Sequence, residues 1–237
     1  MTKENNYVRE FVSEYGKPTE FVPAGHAIEA LKDFGLPPVL FDYWKEYGFS
    51  KYLGGYFQLV NPLDYEKVVA EWIRGTPFEG ADRFFAIRMD AFGDLRVWGV
   101  RLGNVFDINV NYHALYKTGF NHEAKIRAGR GGRTIEGQLY GGSADKITPD
   151  SDDPRITLFL QAKEALGVLG PNQIYGMVPA APLGGQMQLD NLQITDAPAY
   201  LALLPELAPV RIMTMQDLAR MAFGDTAAQS LDKLLKE

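Results

Sequence analysis

The chain has 237 residues, of which 46% are hydrophobic and 23% are charged, as in an ordinary folded globular protein. It contains no cysteine, which excludes a disulfide framework, a thiolate zinc site and a cysteine nucleophile. The formal net charge of −6 disfavours direct binding to nucleic acid, which usually needs a basic surface, and is consistent either with simple solubility or with a basic partner.

The N-terminal part of the chain carries no targeting or membrane signal. Residues 1–30 contain charges throughout and lack the apolar segment of a signal peptide. No segment reaches the roughly 18 uninterrupted apolar residues of a membrane-spanning helix. We therefore expect a cytoplasmic protein with no membrane partner.

Helical spacing dominates the first third of the sequence. Apolar residues from Tyr7 to Tyr15 share one helical face, and a second helix is predicted from the Pro37-Pro38 pair to Gly48. A third is predicted after Asp64, which we interpret as its N-cap. The three tryptophans, Trp44, Trp72 and Trp98, fall on apolar faces and are expected in the core.

The middle of the sequence predicts an antiparallel sheet. Residues 83–89 and 95–102 are rich in aromatic and branched side chains, and residues 105–110 alternate between apolar and polar types. Gly103-Asn104 is interpreted as a two-residue hairpin turn, and residues 55–60 as a further strand beside the others.

Residues 111–155 are less regular, and Gly129–Arg133 within them is interpreted as a flexible, solvated loop. Beyond them we expect a helix over Thr157–Leu169, a short helix after Thr214 and a last helix from Asp225. The predicted fold class is therefore α+β, with an antiparallel sheet packed against several helices and a helix-rich C-terminal part.

Motifs for catalysis, cofactors and metals are all incomplete. Gly16-Lys17 is followed by proline instead of the serine or threonine of a phosphate-binding loop. His122-Glu123 lacks the second histidine of a zinc protease, because position 126 is isoleucine. The segment Gly141–Asp145 lacks the last glycine of a nucleophile elbow, and Asp150–Arg155 lacks the glycine of a calcium loop. We expect no enzyme, no cofactor and no metal, although a hydrolase with a hidden carboxylate site remains an alternative.

The segment LPPVLFDYWKEYGFSKYLGGYFQLVNPLDYEKVVAEW, residues 36–72, resembles the GAD-like domain family. The resemblance rests on Leu36-Pro37, Tyr47-Gly48-Phe49 and Leu59–Pro62. The same pattern is loosely similar to the Smi1/Knr4-like proteins, and this leaves a regulatory or scaffolding protein as the alternative function.

The second half carries its own resemblance. The segment IYGMVPAAPLGGQMQLDNLQI, residues 174–194, is similar to the C-terminal domain of Tdi-type immunity proteins, which protect against type VI secretion DNases. The block from Pro179 to Gly185 is its most specific element, with an additional proline at position 182. Its motif residues are Pro179, Leu183, Gly184 and Gly185, for which a structural role is expected. The resemblance implies a GAD-like domain over residues 1–112, a connecting region over 113–149 and an immunity domain over 150–237.

The two resemblances together imply a role in bacterial competition. A Tdi-type protein binds and neutralises a cognate secreted DNase toxin domain, whose DNA-binding face must be basic. An acidic inhibitor complements such a face. The carboxylates that we consider for toxin binding are Asp145, Asp150, Asp152 and Asp153. The alternative is that these four residues form a solvated linker between two domains.

Overall fold

The computed structural model describes residues 11–139 and 147–224. The helices are α1 (residues 11–15 of it are described), α2 (Ala27–Leu31), α3 (Pro38–Tyr47), α4 (Glu66–Ile73), α5 (Glu123–Arg127), α6 (Gly131–Leu139), α7 (Pro154–Leu166), α8 (Ala197–Leu207) and α9 (Met215–Phe223). The strands are β1 (Lys51–Tyr52), β2 (Phe57–Leu59), β3 (Phe84–Asp90), β4 (Leu95–Gly99), β5 (Phe106–Asn109), β6 (Ala114–Lys117), β7 (Gln173–Met177), β8 (Leu192–Asp196) and β9 (Arg211–Met213).

Seven of these strands form one sheet in the order β1-β2-β3-β4-β5-β6-β9. All neighbours are antiparallel except β6 and β9, which pair in parallel. Strands β7 and β8 form a separate antiparallel hairpin. The predicted α+β class is confirmed, and the meander from β2 to β5 lies where the sequence placed it. The parallel strand β9 was not predicted; it brings the C-terminal part of the chain into the main sheet.

Two hydrophobic cores cover the main sheet. The larger core joins α4, α7, α8 and the β7–β8 hairpin to the sheet, and the smaller core joins α2, α3 and α6 to it. Strand β5 illustrates why the pattern folds this way: Phe106 and Ile108 are buried in the larger core, while Asp107 and Asn109 between them are half-buried on the other side. Successive strand residues face opposite sides, so the alternation in sequence becomes a two-sided sheet.

The larger core runs across both halves of the chain. The indole nitrogen of Trp72 on α4 donates to the carbonyl of Leu201 on α8 at 2.9 Å. The amide of Tyr175 on β7 donates to the carbonyl of Ala91, in the loop after β3, at 2.8 Å. The Lys163 ammonium on α7 donates to the carbonyl of Gly54 at 2.9 Å. In the structure the two halves of the chain share this core and pack as one body. The boundary between the two predicted domains, at residues 113–149, stays a prediction.

Helix α3 and the tryptophans follow the prediction closely. Helix α3 begins at Pro38 and ends before Gly48, whose φ of 64° suits a residue without a side chain. Trp44, Trp72 and Trp98 are all buried in the cores. The capping box at Thr214 is also confirmed, with Asp217 as its partner at the start of α9. The helix predicted from Asp225 lies outside the described residues.

Two helix starts were predicted wrongly. Asp64 is not the N-cap of α4: the helix begins at Glu66, and Tyr65 before it makes no side-chain cap. A 3-10 turn over Pro62–Tyr65 precedes the helix, and Asn61 caps that turn by accepting from the Leu63 amide. The helix predicted over Thr157–Leu169 runs over Pro154–Leu166, because Asp153 caps it and Pro154 takes the first position.

The middle region also differs from the prediction. Gly103-Asn104 does not form a two-residue turn, since β4 ends at Gly99 and β5 begins only at Phe106. Gly103 instead pairs with Gly99 in an isolated bridge inside a longer loop. The Gly129–Arg133 segment is not a flexible loop, because α6 begins within it at Gly131. Strand β6 and helices α5 and α6 were not predicted, because the composition of residues 111–155 shows no regular period.

Candidate functional site

A cleft of about 540 Å³ opens on the main sheet. Its floor is formed by β3 to β6 and β9, and its walls by the start of α7 and by α9, so both halves of the chain line it. The charged residues of the lining are Arg88, Asp90, Asp94, Arg96, Asp107, Asp153 and Arg155. Tyrosines and methionines accompany them, and this mixture is typical of protein interfaces.

The floor of the cleft is one row of cross-strand neighbours. Arg88 on β3 lies opposite Arg96 on β4, and Arg96 lies opposite Asp107 on β5. The row continues with Tyr116 on β6 and Met213 on β9. The residues on either side of Arg96 and Asp107 pack in the larger core, so this row must face away from that core, into the cleft.

Electrostatic partners hold the floor in place. The Arg96 guanidinium lies 3.1 Å from the Asp107 carboxylate, which also accepts from the Asn104 amide at 2.8 Å. Burial raises the pKa of Asp107, and Arg96 opposes that rise. Burial and the nearby Arg96 lower the pKa of Arg88 to about 10. Arg88 also lies over the Phe57 ring at 4.1 Å.

Arg155 forms the wall of the cleft and bridges two carboxylates. Its guanidinium donates to Asp90 at 2.7 and 3.1 Å and lies 2.9 Å from Asp94. The Asp94 carboxylate also accepts from the Val110 amide and the Asn109 side chain. Burial raises the pKa of Asp94 to about 7, against the opposing effect of Arg155. The network ties α7 to the β3–β4 hairpin.

The sequence offered weak signals for this network. Asp90 and Asp94 bound the short connection between the predicted strands 83–89 and 95–102, and Arg155 appeared only at the position where a calcium loop needs glycine. Charged residues inside a buried strand, such as Arg88, are the signal that could have marked the cleft, because such charges need partners.

The predicted toxin-binding carboxylates lie at the start of α7, as far as they are described. Asp145 lies outside the described residues. Asp150, Asp152 and Asp153 are exposed. Asp153 accepts from the Arg155 amide at 2.8 Å as the N-cap of α7, and it also lines the cleft. The structure thus gives Asp153 a helix-capping role, and a role of these residues in toxin binding remains a prediction.

The predicted Pro179–Gly185 motif forms a tight loop between β7 and β8. Gly184 has a φ of 89°, which disfavours any side chain, although the space around it is open. Gly185 lies so close to the Pro179 carbonyl oxygen that a Cβ atom would overlap it. Leu183 points into solvent, with 60% of its surface exposed. The two glycines therefore serve different geometric needs.

The histidines have ordinary structural surroundings. The Nε2 atom of His113 lies 2.9 Å from the Ala208 carbonyl oxygen, and its ring packs against Trp72. His122 lies against Trp98 and Phe120, and burial lowers its pKa. Across residues 11–139 and 147–224, no group of three potential ligands is arranged to hold a metal ion. Within the same ranges, no helix has the length and apolar character needed to cross a membrane.

Comparison with known families decides the class of protein. Residues 6–112 match the GAD-like domain, and residues 148–208 match the C-terminal domain of the type VI secretion immunity protein Tdi1. The chain therefore carries a GAD-like domain followed by the C-terminal domain of a type VI secretion immunity protein, in the predicted order. The cleft is lined by residues from both matched regions.

Among solved structures, the chain is similar to the crystal structure of Atu4351 from Agrobacterium tumefaciens. The TM-score is 0.66 at 23% sequence identity, with 91% of this chain and 93% of that chain covered. At this identity the similarity establishes the fold alone. A search of curated proteins gave no match.

Proposed function

We propose that the chain binds and neutralises a cognate DNase toxin of the type VI secretion system, acting by stoichiometric binding and not by catalysis. The observation that carries the proposal is the Tdi1 C-terminal domain over residues 148–208. In this proposal the protein resides in the cytoplasm of the toxin-producing cell, where it meets toxin delivered by its kin.

The charge of the chain supports a nuclease partner. A DNase needs lysine and arginine on the face that contacts DNA. The chain carries 30 acidic and 24 basic residues other than histidine, so it is attracted to such a face and repelled by DNA itself. Its cleft adds tyrosine, methionine and arginine side chains, which are enriched at the centres of protein interfaces.

Rescue of cells tests this function. The chain is co-expressed with a type VI secretion DNase chosen as its candidate cognate toxin. We expect cells with both proteins to grow and to keep intact chromosomal DNA, while cells with the nuclease alone arrest and degrade it. Arrest and DNA loss despite a stable, folded chain would contradict the proposal and favour a regulatory or scaffolding role.

We further propose that Asp145, Asp150, Asp152 and Asp153 steer the toxin toward the chain by long-range attraction. Changing all four to asparagine removes the charges, and asparagine at position 153 still caps α7. The association rate should fall about tenfold at low salt, and its dependence on salt should flatten. Stopped-flow binding to the nuclease domain at low and moderate salt measures both quantities.

A control variant separates this effect from a general change in net charge. It carries amides in place of four exposed carboxylates: Glu29 on α2, Asp33 in the 3-10 turn after α2, and Asp42 and Glu46 on α3. This variant has the same net charge as the first but leaves the start of α7 unchanged. Equal association rates for the two variants would show that the aspartates at α7 have no special role.

A further inference from the structure

The loop between β7 and β8 combines rigidity with exposed apolar side chains. The Val178 amide donates to the Asn191 carbonyl at 2.7 Å, and the Gly185 amide donates to the Ala180 carbonyl at 3.1 Å. Ala180, with the partly buried Met187 and Leu189, holds the loop on the larger core. A loop fixed at both ends and in its middle has little conformational entropy left to lose on binding.

The outer side of this loop has an apolar part, next to the exposed Gln186 and Gln188. Val178 exposes 41% of its surface and Leu183 exposes 60%, and Pro179 between them is also exposed. The 3-10 helix that ends at Leu183 packs against α8. The exposed positions of α8 include Leu203, at 50%, followed by Glu206. We name this surface, made by Val178, Pro179, Leu183, Leu203 and Glu206, the loop–α8 face.

The segment that supplies most of the loop–α8 face carries only acidic charge. Between Glu164 and Val210 the sequence contains no lysine, arginine or histidine. Its charged residues are Glu164, Asp190, Asp196 and Glu206, and all of them are exposed. On α4, Lys67 lines a small pocket with Leu203 and Glu206, so the face is predominantly and not purely acidic. An apolar centre with an excess of carboxylates fits a partner whose contact face is basic.

We infer that the loop–α8 face is the anchoring surface for the basic, DNA-binding face of the nuclease toxin. The inference rests on the proposed function and assigns a surface to it. Leu183 and its apolar neighbours bury against the toxin and set the dissociation rate, while the surrounding carboxylates face its lysines and arginines. The exposed aspartates before α7 contribute to the rate of encounter, a separate quantity.

The first test measures dissociation from the nuclease domain of the candidate toxin used in the rescue experiment, in a catalytically inactive form. The variant Val178→Ser, Leu183→Ser should dissociate about 30-fold faster or more, the effect of losing one strong anchor. Its melting temperature should stay near that of the parent, because both side chains are largely exposed. The matched control is Phe21→Ser in the GAD-like domain, where 57% of the side chain is exposed. The control should dissociate at the parent rate.

The second test determines the sign of the charge on the toxin surface that contacts the loop–α8 face. The variants Leu183→Glu and Leu183→Lys place side chains of similar length and opposite charge at the same exposed position. If the partner face is basic, the glutamate variant should bind at least about tenfold more tightly than the lysine variant at low salt. Equal affinity, or the reverse order, would overturn the assignment.

The outcomes separate this inference from the proposed function. If the parent chain does not bind the nuclease domain, the proposed function itself fails. If the parent binds and the serine variant dissociates at the parent rate, the function stands and the loop–α8 face is the wrong surface. If the parent forms a dimer that the serine variant loses while toxin binding is unchanged, a second copy of the chain occupies the face, and the inference is overturned.

Discussion

Replacing Arg155 with methionine should cost about 3 kcal/mol of unfolding free energy, because it leaves two partly buried carboxylates without their shared cation. Asp90 and Asp94 lie within 2.7 and 2.9 Å of the Arg155 guanidinium, and their side chains are only 17% and 23% exposed. Methionine keeps the aliphatic length of the side chain, so the loss measured is chiefly electrostatic. Urea unfolding followed by tryptophan fluorescence measures it.

A double-mutant cycle assigns the loss to the ion pairs. In a background of Asp90→Asn and Asp94→Asn, the change Arg155→Met should cost far less, since no buried charge then lacks a partner. The variant Arg155→Lys should recover only part of the stability, because an ammonium cannot make the two-nitrogen contact with Asp90. An equal cost of Arg155→Met in both backgrounds would contradict the account of the network.

Replacing Gly185 with valine should be the most damaging change in the Pro179–Gly185 loop. A Cβ atom at Gly185 would overlap the Pro179 carbonyl oxygen, so the backbone must move. We expect a loss of about 3 kcal/mol or more, which in a chain of this size lowers the melting temperature by roughly 6–12 °C. Replacing both Gly184 and Gly185 with valine should lower the free energy of unfolding further than Gly185→Val alone.

Gly184 provides the control for this prediction. Its surroundings are open, and only its φ of 89° resists a side chain. Asparagine tolerates such a φ better than other residues, so Gly184→Asn should lose only about 1 kcal/mol. Calorimetry of the two single variants measures the difference. If Gly185→Val melted at the temperature of Gly184→Asn, the close approach to Pro179 would have no energetic weight.

The regular elements were predictable because their patterns are local. Strand β5 alternates residue by residue, and α3 has a proline at its start and a glycine after its end. Side-chain burial against the cores then agrees with the period of each element. For the same reason the burial of Trp44, Trp72 and Trp98 could be expected from their positions on apolar faces.

The candidate site was not predictable, because it depends on distant pairing. Strand β9 joins β6 across almost a hundred residues of sequence, as Ala114 pairs with Arg211. Arg155 meets Asp90 only after α7 packs on the sheet. No periodicity within either segment contains that information. The parallel pairing of β6 with β9 and the Arg155 network could therefore be recognised only in the three-dimensional structure.

The motif loop lies between these two cases. Its residues were singled out by resemblance, and a glycine pair does indicate a turn. The sequence could not show that Gly184 and Gly185 serve different needs, because the requirement at Gly185 comes from the Pro179 carbonyl that folds back onto it.

Inhibition of the purified nuclease by the purified chain tests the central claim most directly. DNA cleavage by the candidate toxin of the rescue experiment is titrated with the chain at nuclease concentrations well above the dissociation constant. The account predicts a linear loss of cleavage that reaches zero at a fixed stoichiometric ratio, with the two proteins eluting together. Undiminished cleavage in the presence of a several-fold excess of folded chain would contradict it.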